Sequence, residues 1–421
     1  MSTTSTDSIS ASTSALAATK VVEPIKVVDL FSGAGGFSAG FRAYEPAGPG
    51  SSPFQSVAAV EFDEAAAATY SANFGSAHVA NVDITTWDAR PYEGQVDVVM
   101  GGPPCQGFSG LNRDDPEKKP PKADDPRNLL WREYMRVVTT IKPKIFVLEN
   151  VDRFLKSQQF EDLRTATEDG GELSAYSLRW QVLNAADYGV PQARRRAIVI
   201  ATRKDLGVPL EHPKPTHARN AAARQPTLDG SEESSDRPAQ WVPVGDAVFS
   251  RTPATTNVVN LPDRSGKPLG VDLPGPYLTT ELHVGRTPTA LSLARYRAIE
   301  SGGNRHDLRG KWATVLGEEM YLSTSSWDKH NSGSGDVMGR MYEDRPSVTI
   351  RTEFYKPEKG RYLHPVEDRP ITHYEAALIQ GFPPDFKWFG SKVQIARQIG
   401  NAVPVGLGRA LAQAIHERLN T

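Results

Sequence analysis

Apolar and polar positions along the first half of the chain fall into repeating blocks. Ile25 to Leu30 is a short apolar run rich in β-branched residues, interrupted by Lys26 and Asp29 and followed by Phe31-Ser32-Gly33-Ala34-Gly35-Gly36. This order predicts a strand, a tight glycine turn and a helix over Phe37 to about Ala43. After a Pro/Gly/Ser loop from Glu45 to Pro53 the block repeats: Ser56 to Val60 as a strand, Glu61-Phe62-Asp63 as an acidic junction, and an alanine-rich helix from Glu64 to Phe74. Ala77 to Ile84, with Asp83 at its end, predicts a third strand, and Val96 to Met100 a fourth. Leu129 to Ile141 reads as a helix and Ile145 to Leu148 as a strand running into Glu149-Asn150-Val151. Tyr176 to Val182 and Ala197 to Ala201 read as a β pair flanking the loop Asn184 to Arg196. Strands alternating with helices imply an α/β chain with a doubly wound, mostly parallel sheet.

Elsewhere the pattern weakens. The first 24 residues are Ser, Thr and Ala with almost no large apolar side chains, so a disordered tail is expected. Asn112 to Asn128 is too charged for core and too long for an ordinary connection, which suits a lid beside a site. From about Leu206 to Tyr342 prolines, glycines and polar residues are frequent, and a second, smaller, loop-rich domain is expected there. Periodicity returns at Pro346 to Ile350, in a helix over Tyr374 to Ile379, and in an amphipathic helix from Val405 to about Leu419.

Composition narrows the chemistry. A formal net charge of −2 gives no global attraction for nucleic acid, so binding would need local basic patches such as Arg194-Arg195-Arg196, which by itself reads equally as a solvated turn. No apolar stretch approaches the ~20 residues of a membrane span, and the N-terminus lacks a signal-peptide layout, so a cytoplasmic protein is expected. A single cysteine among 421 residues excludes an intrachain disulfide and any multi-cysteine metal site, and no metal is expected. The glycines at 33, 35 and 40 fit neither the G-x-G-x-x-G fingerprint nor a phosphate loop, which disfavours a pyrophosphate cofactor. A glycine turn at the end of the first strand still favours a ligand there. Glu61, at the end of the second strand, is the candidate for ribose hydroxyls, although a carboxylate favoured by the helix dipole is an equal reading that Asp63 and Glu64 also satisfy. The lone Cys105 sits in Gly101-Gly102-Pro103-Pro104-Cys105-Gln106-Gly107-Phe108-Ser109, directly after the fourth strand. It could be a buried small hydrophobe. Two glycines and two prolines followed by a polar stretch point instead to a stiff, partly open mount suited to a nucleophile.

Taken in order, Asp29 to Gly36 (DLFSGAGG), Gly101 to Ser109 (GGPPCQGFS), Glu149 to Val151 (ENV), Gln192 to Arg196 (QARRR) and Gly400 to Pro404 (GNAVP) resemble the motifs of the DNA cytosine-5 methyltransferase family, of the bacterial modification-methylase type. The resemblance runs from residue 25 to the C-terminus, apart from much of residues 206 to 330. It implies an S-adenosylmethionine-dependent methyltransferase fold, with residues 25–205 as the catalytic cofactor-binding domain, 206–391 as the target-recognition domain and 392–421 returning to the first domain. It also implies that Phe31, Gly33, Gly35 and Pro103 line the cofactor pocket, that Glu61 holds the ribose, that Asp83 and Ile84 contact adenine, and that Asn401 and Val403 lie near the methionine end. Cys105 would attack carbon 6 of a flipped cytosine, Glu149 would act at ring nitrogen 3, and Arg194 and Arg196 would favour the thiolate. Gln106, Ser109 and Gln192 would belong to the substrate loop and its surroundings. The partner implied is double-stranded DNA bound by a monomer, with a cognate restriction endonuclease left open. Two alternatives stand beside this reading: a transfer-RNA cytosine methyltransferase on the same scaffold, and an inactive DNA-binding homologue.

Overall fold

A computed structural model describes residues 23–104, 130–221, 237–253, 258–329 and 335–420. The expected tail up to residue 22 and the expected lid lie outside them. The main sheet is built from β1 (Ile25–Leu30), β2 (Phe54–Val60), β3 (Val79–Ala80), β4 (Val98–Gly101), β5 (Ile145–Asn150), β6 (Tyr176–Asn184) and β8 (Arg195–Arg203), with the short β7 (Gln192–Ala193) outside it. Its order is β3-β2-β1-β4-β5-β8-β6. All pairs from β3 to β5 are parallel, and β8 runs antiparallel to both β5 and β6. This is the doubly wound, mostly parallel sheet that the alternating blocks predict, and the β6/β8 hairpin flanks the loop where expected.

Side chains on the central strands alternate between two apolar layers, as the period of two requires. Val27, Val98, Met100, Ile145, Val147, Ile198 and Ile200 face one cluster, with Phe37 and Phe41 of α1 (Gly36–Arg42). Val28, Leu30, Val99, Phe146, Leu148 and Val199 face the other. That layer is closed by Tyr134, Val138 and Ile141 of α3 (Leu130–Ile141) and by Phe160 and Leu163 of α4 (Gln158–Ala166). Covered on both faces, the central strands carry near-continuous apolar runs. α2 (Glu64–Phe74) buries Ala65 to Ala68, small residues that let it lie close to its neighbours.

The third strand is shorter than its sequence predicts. The Asp83 carboxylate accepts from the Thr85 amide at 2.9 Å and from its hydroxyl at 2.8 Å, capping a turn at Ile84–Thr86 and leaving only Val79–Ala80 to pair with β2.

The loop-rich part holds α5 (Ala290–Ala298), α6 (Ser325–Lys329) and several two-residue strand pairs. Regular ladders being few, a buried arginine ties its loops together. The Arg340 guanidinium donates to the carbonyls of Tyr296 (2.6 Å), Ile299 (2.9 Å), His364 (2.8 Å) and Glu367 (2.7 Å), and pairs with Asp368. One apolar cluster runs from Val244 and Tyr277 through Ile379 of α7 (His373–Ile379), Trp388 and Ile395 of α8 (Lys392–Asn401) to Val405, and includes Ala34 and Ala39 beside the glycine turn. The last helix, α9 (Val405–Leu419), lies on α1. The approach is so close that a Cβ on Gly40 would stand 2.6 Å from the Gly408 Cα, and one on Gly36 2.5 Å from the Val403 carbonyl oxygen. No described helix is long and apolar enough to cross a membrane.

Candidate active site

Register fixes what meets at the C-terminal edge of the sheet. Leu30 pairs with Val60 on one side and Gly101 on the other, and Gly101 with Leu148. The glycine turn, the Glu61 junction, the start of the cysteine segment and Glu149 therefore leave four adjacent strands together.

At the β1 end the turn is made by backbone conformation. Phe31 (φ 54°), Gly33 (φ 54°) and Gly35 (φ 89°) all lie in the left-handed region. For Phe31 this is a strained state of the kind that collects at binding sites. Gly35 caps α1, and a Cβ there would come within 2.4 Å of the Phe74 ring, whereas a Cβ on Gly33 would meet nothing within 4 Å. Glu61 closes the turn: its Oε2 accepts from the Gly33 amide and its Oε1 from the Asp63 amide, both at 2.8 Å. Burial raises its pKa, and the two backbone donors oppose that rise. The helix-cap reading belongs to Asp63, whose side chain accepts from the Ala66 amide at 3.0 Å. Glu61 caps nothing and keeps lone pairs for a ligand. Between them Phe62 is 74% exposed. An aromatic ring presented to solvent beside such a carboxylate has a face free for a planar ligand, and its signal in the sequence is a single large apolar residue inside an otherwise acidic junction. The Asp83 carboxylate is exposed, its pKa lowered by the Thr85 hydrogen bonds, while the Ile84 side chain is buried and its carbonyl accepts from Arg136 at 2.8 Å.

At the β5 end the parts are charged side chains. Glu149 is 9% exposed, and its Oε1 lies 2.7 Å from Arg196 Nε across the β5/β8 pair. Its Oε2 faces Gly102, where a Cβ would stand 2.8 Å away, so a side chain at the second glycine of the cysteine segment would displace the carboxylate beneath it. The first glycine is required by the Leu30 carbonyl, 2.4 Å from a Cβ on Gly101. Asn150 Nδ2 donates to the Pro103 carbonyl at 3.1 Å, tying the segment to β5. Cys105, Gln106 and Ser109 lie outside the described residues.

The three arginines divide by strand alternation. Arg195 is exposed, Arg196 is committed to Glu149, and Arg194, 2% exposed, donates through Nη1 to the Ile350 carbonyl at 2.9 Å. Burial, and then the charge of Arg196, hold the Arg194 pKa well below the usual arginine value. Gln192 is a buried strut: it accepts from the Ile350 amide (2.9 Å) and donates to Gln380 Oε1 (2.8 Å). The side chains of Gln192 and Arg194 thus both turn toward Ile350. Val403 is buried against the start of α1, and Asn401 ends α8 exposed. Between Ala193 and the loop-rich part opens a cavity of about 500 Å³ lined by Tyr342, Arg345, Thr349, Arg351 and Tyr362. Arg345 lies 4.0 Å over the Tyr342 ring.

Residues 25–417 match the family model described as C-5 cytosine-specific DNA methylase. The chain belongs to that family. Among its curated relatives is the Type II methyltransferase M1.HphI of Haemophilus parahaemolyticus, 32% identical over 92% of this chain and 86% of the relative. Another is the Type II methyltransferase M.DdeI of Desulfomicrobium norvegicum, 31% identical over 93% and 88%. A solved E. coli prophage protein assigned as a DNA modification methyltransferase superposes with a TM-score of 0.63 at 23% identity, covering 94% of this chain and 100% of its own, which shows the shared fold. The C-5 methylase family is S-adenosylmethionine-dependent in general, and membership makes the protein a DNA (cytosine-5-)-methyltransferase with the methyltransferase fold.

Proposed function

We propose that the protein methylates carbon 5 of a cytosine flipped out of a specific duplex DNA sequence, through a covalent bond between Cys105 and carbon 6. The observation that carries this reading is the buried Glu149–Arg196 pair, with Gly102 and Pro103 laid against it by its own packing and by Asn150, one strand from the glycine turn. The residues at that turn fit S-adenosylmethionine. Ser32 Oγ is buried with no partner among the described residues, Gly33 opens onto free space, and Glu61 has acceptor capacity for two ribose hydroxyls with Phe62 exposed beside it. Bound there, the cofactor supplies an electrophilic methyl group.

The chain's own groups do the rest. Cys105 Sγ, as thiolate, adds to carbon 6, and the electron pair displaced from the 5,6 double bond enriches carbon 5. Glu149, oriented by Arg196, shares a proton with ring nitrogen 3, which carries part of that charge. Once carbon 5 is methylated it gives up its proton to water, and the electron pair of that C–H bond re-forms the 5,6 double bond as the Sγ–carbon 6 bond breaks and its pair returns to sulfur, restoring the ring and the thiolate. Arg194 is a positioning residue, holding the β7–β8 corner to Ile350. A cytosine inside a stacked duplex cannot reach this pocket, so the base must be flipped. The cavity with Arg345 and Arg351 at its rim supports a phosphate-bearing strand beside Ala193. The Type II relatives favour a modification enzyme.

The test uses the full chain with labelled S-adenosylmethionine, duplex DNA of mixed sequence and transfer RNA in parallel. Label in duplex DNA at cytosine carbon 5, lost in Cys105→Ala, and an adduct with a 5-fluorocytosine duplex that needs Cys105, are the expected results. Label confined to transfer RNA would establish the RNA alternative, and no transfer to either would establish the inactive one.

A further inference from the structure

Asp29 is buried in the middle of the sheet on β1, and the reaction outlined above gives it no task. It sits on β1 two residues before Phe31, paired with Ala59 and Met100, and is 1% exposed. A carboxyl in that position normally has a cation or a metal to hold it. Here its partner is a hydroxyl: Ser38 Oγ, in the first turns of α1, donates to Asp29 Oδ2 at 2.7 Å. Ser38 Oγ is in turn 2.8 Å from Tyr70 Oη on α2, which is 2.9 Å from Ser56 Oγ on β2. The three hydroxyls stand in series, and if each donates toward its neighbour nearer the acid, all three hydrogens point at Asp29. That alignment suits an anion, because each bond polarises the next.

The titratable groups facing Asp29 are Tyr70 from α2, Tyr134 from α3 and Glu61 from the end of β2, and no described Lys, Arg or His pairs with it. Burial pushes its pKa up to about 8, with Ser38 lowering it and the charge of Glu61 raising it further. The Glu61 effect is informative. Glu61 holds the Gly33 amide inside the turn, so a charge in the ligand pocket is felt at Asp29 through a dry, weakly screening interior.

We propose that Asp29 is a positioning residue that tells the cofactor from its product by charge: its carboxylate form favours the cationic sulfonium of S-adenosylmethionine over the neutral thioether of S-adenosylhomocysteine. This rests on the cofactor reading above. The two ligands share adenine, ribose and the amino-acid end, and differ in the methyl group and its positive charge. Linkage then fixes the sign. A cation in the pocket lowers the Asp29 pKa, so binding the cofactor expels a proton below about pH 8 and its affinity rises with pH until Asp29 is ionised in the free protein, whereas the product gains nothing from that ionisation. At neutral pH the free protein holds a proton on Asp29 that departs when the charged ligand arrives and returns once the charge has left with the methyl group. The acid thus helps to exchange spent product for fresh cofactor.

The experiment is calorimetric titration of the full chain with each ligand from pH 6.5 to 9.5, in buffer pairs of different ionisation enthalpy. The ratio of cofactor to product affinity should rise at least about tenfold across this range, the factor that accompanies one unit of pKa shift. Proton release should accompany the cofactor and not the product near pH 7.5. Asp29→Asn keeps an acceptor for Ser38 and removes the charge, and should flatten the ratio. A wild-type ratio independent of pH, or a rise that Asp29→Asn retains, would overturn the proposal. Should the variant not fold, the wild-type proton count decides alone. Binding of neither ligand at any pH would overturn the cofactor reading itself, and this proposal with it.

Discussion

The two ends of the site are made of different material. At the glycine turn the chain uses its own backbone: left-handed Phe31, Gly33 and Gly35, and an amide held by Glu61. Two strands away in sheet order, at β5, the work is done by a buried acid against a guanidinium, with glycine at 102 leaving room for the acid. A backbone-built end holds a whole ligand by shape and is insensitive to the loss of any single peripheral group. A charge-built end is brittle, since either partner alone in a dry place is an unpaired ion. On the proposed function, the first end governs occupancy and the second governs rate.

Three substitutions would break or sharpen this contrast. The largest effect is expected for Glu149→Gln, which keeps the size and the hydrogen-bonding reach but not the proton: kcat should fall by about 10² to 10⁴, with cofactor Kd unchanged. A matching rise in cofactor Kd would mean that the two ends are not separable. Next comes Arg196→Met, which strands the carboxylate and should lower stability by about 3 kcal/mol in urea titration. Combining it with Glu149→Gln should restore at least about 1 kcal/mol, the signature of a coupled pair, and additive losses would argue that the pair is merely adjacent. The smallest effect is Phe62→Ala, expected to weaken cofactor binding by about two- to tenfold, as for one lost stacking contact, with stability within about 0.5 kcal/mol of wild type because the ring packs against little.

Much of this organisation can be read from the residues alone, for identifiable reasons. Central strands such as β1, β4 and β5 are covered on both faces, so their apolar runs stand out against polar junctions, and the acids and glycines at their ends mark the functional edge of the sheet. What is illegible depends on partners far away in sequence or on backbone groups. The third strand is cut short by Asp83 turning back on Thr85, a local contest that apolar patterning does not register. Gln192 looks like a substrate-loop residue and is a strut, because nothing in its neighbourhood announces Gln380 or Ile350. Arg340 has no visible signal at all, since four of the groups it binds are main-chain carbonyls that any sequence would supply. The choice between Glu61 and Asp63 needed geometry, because both are acids at a helix start.

The seam between α1 and α9 has a consequence in time. Tyr44, just after α1, meets the His416 ring 372 positions later, and Gly40 lies against Gly408 along the same seam. A chain emerging from the ribosome can form β1 to β5 early, but α1, which starts at the glycine turn, lacks its packing partner on that side until α9 has been made. The packing beside the glycine turn is thus completed only when α9 docks on α1.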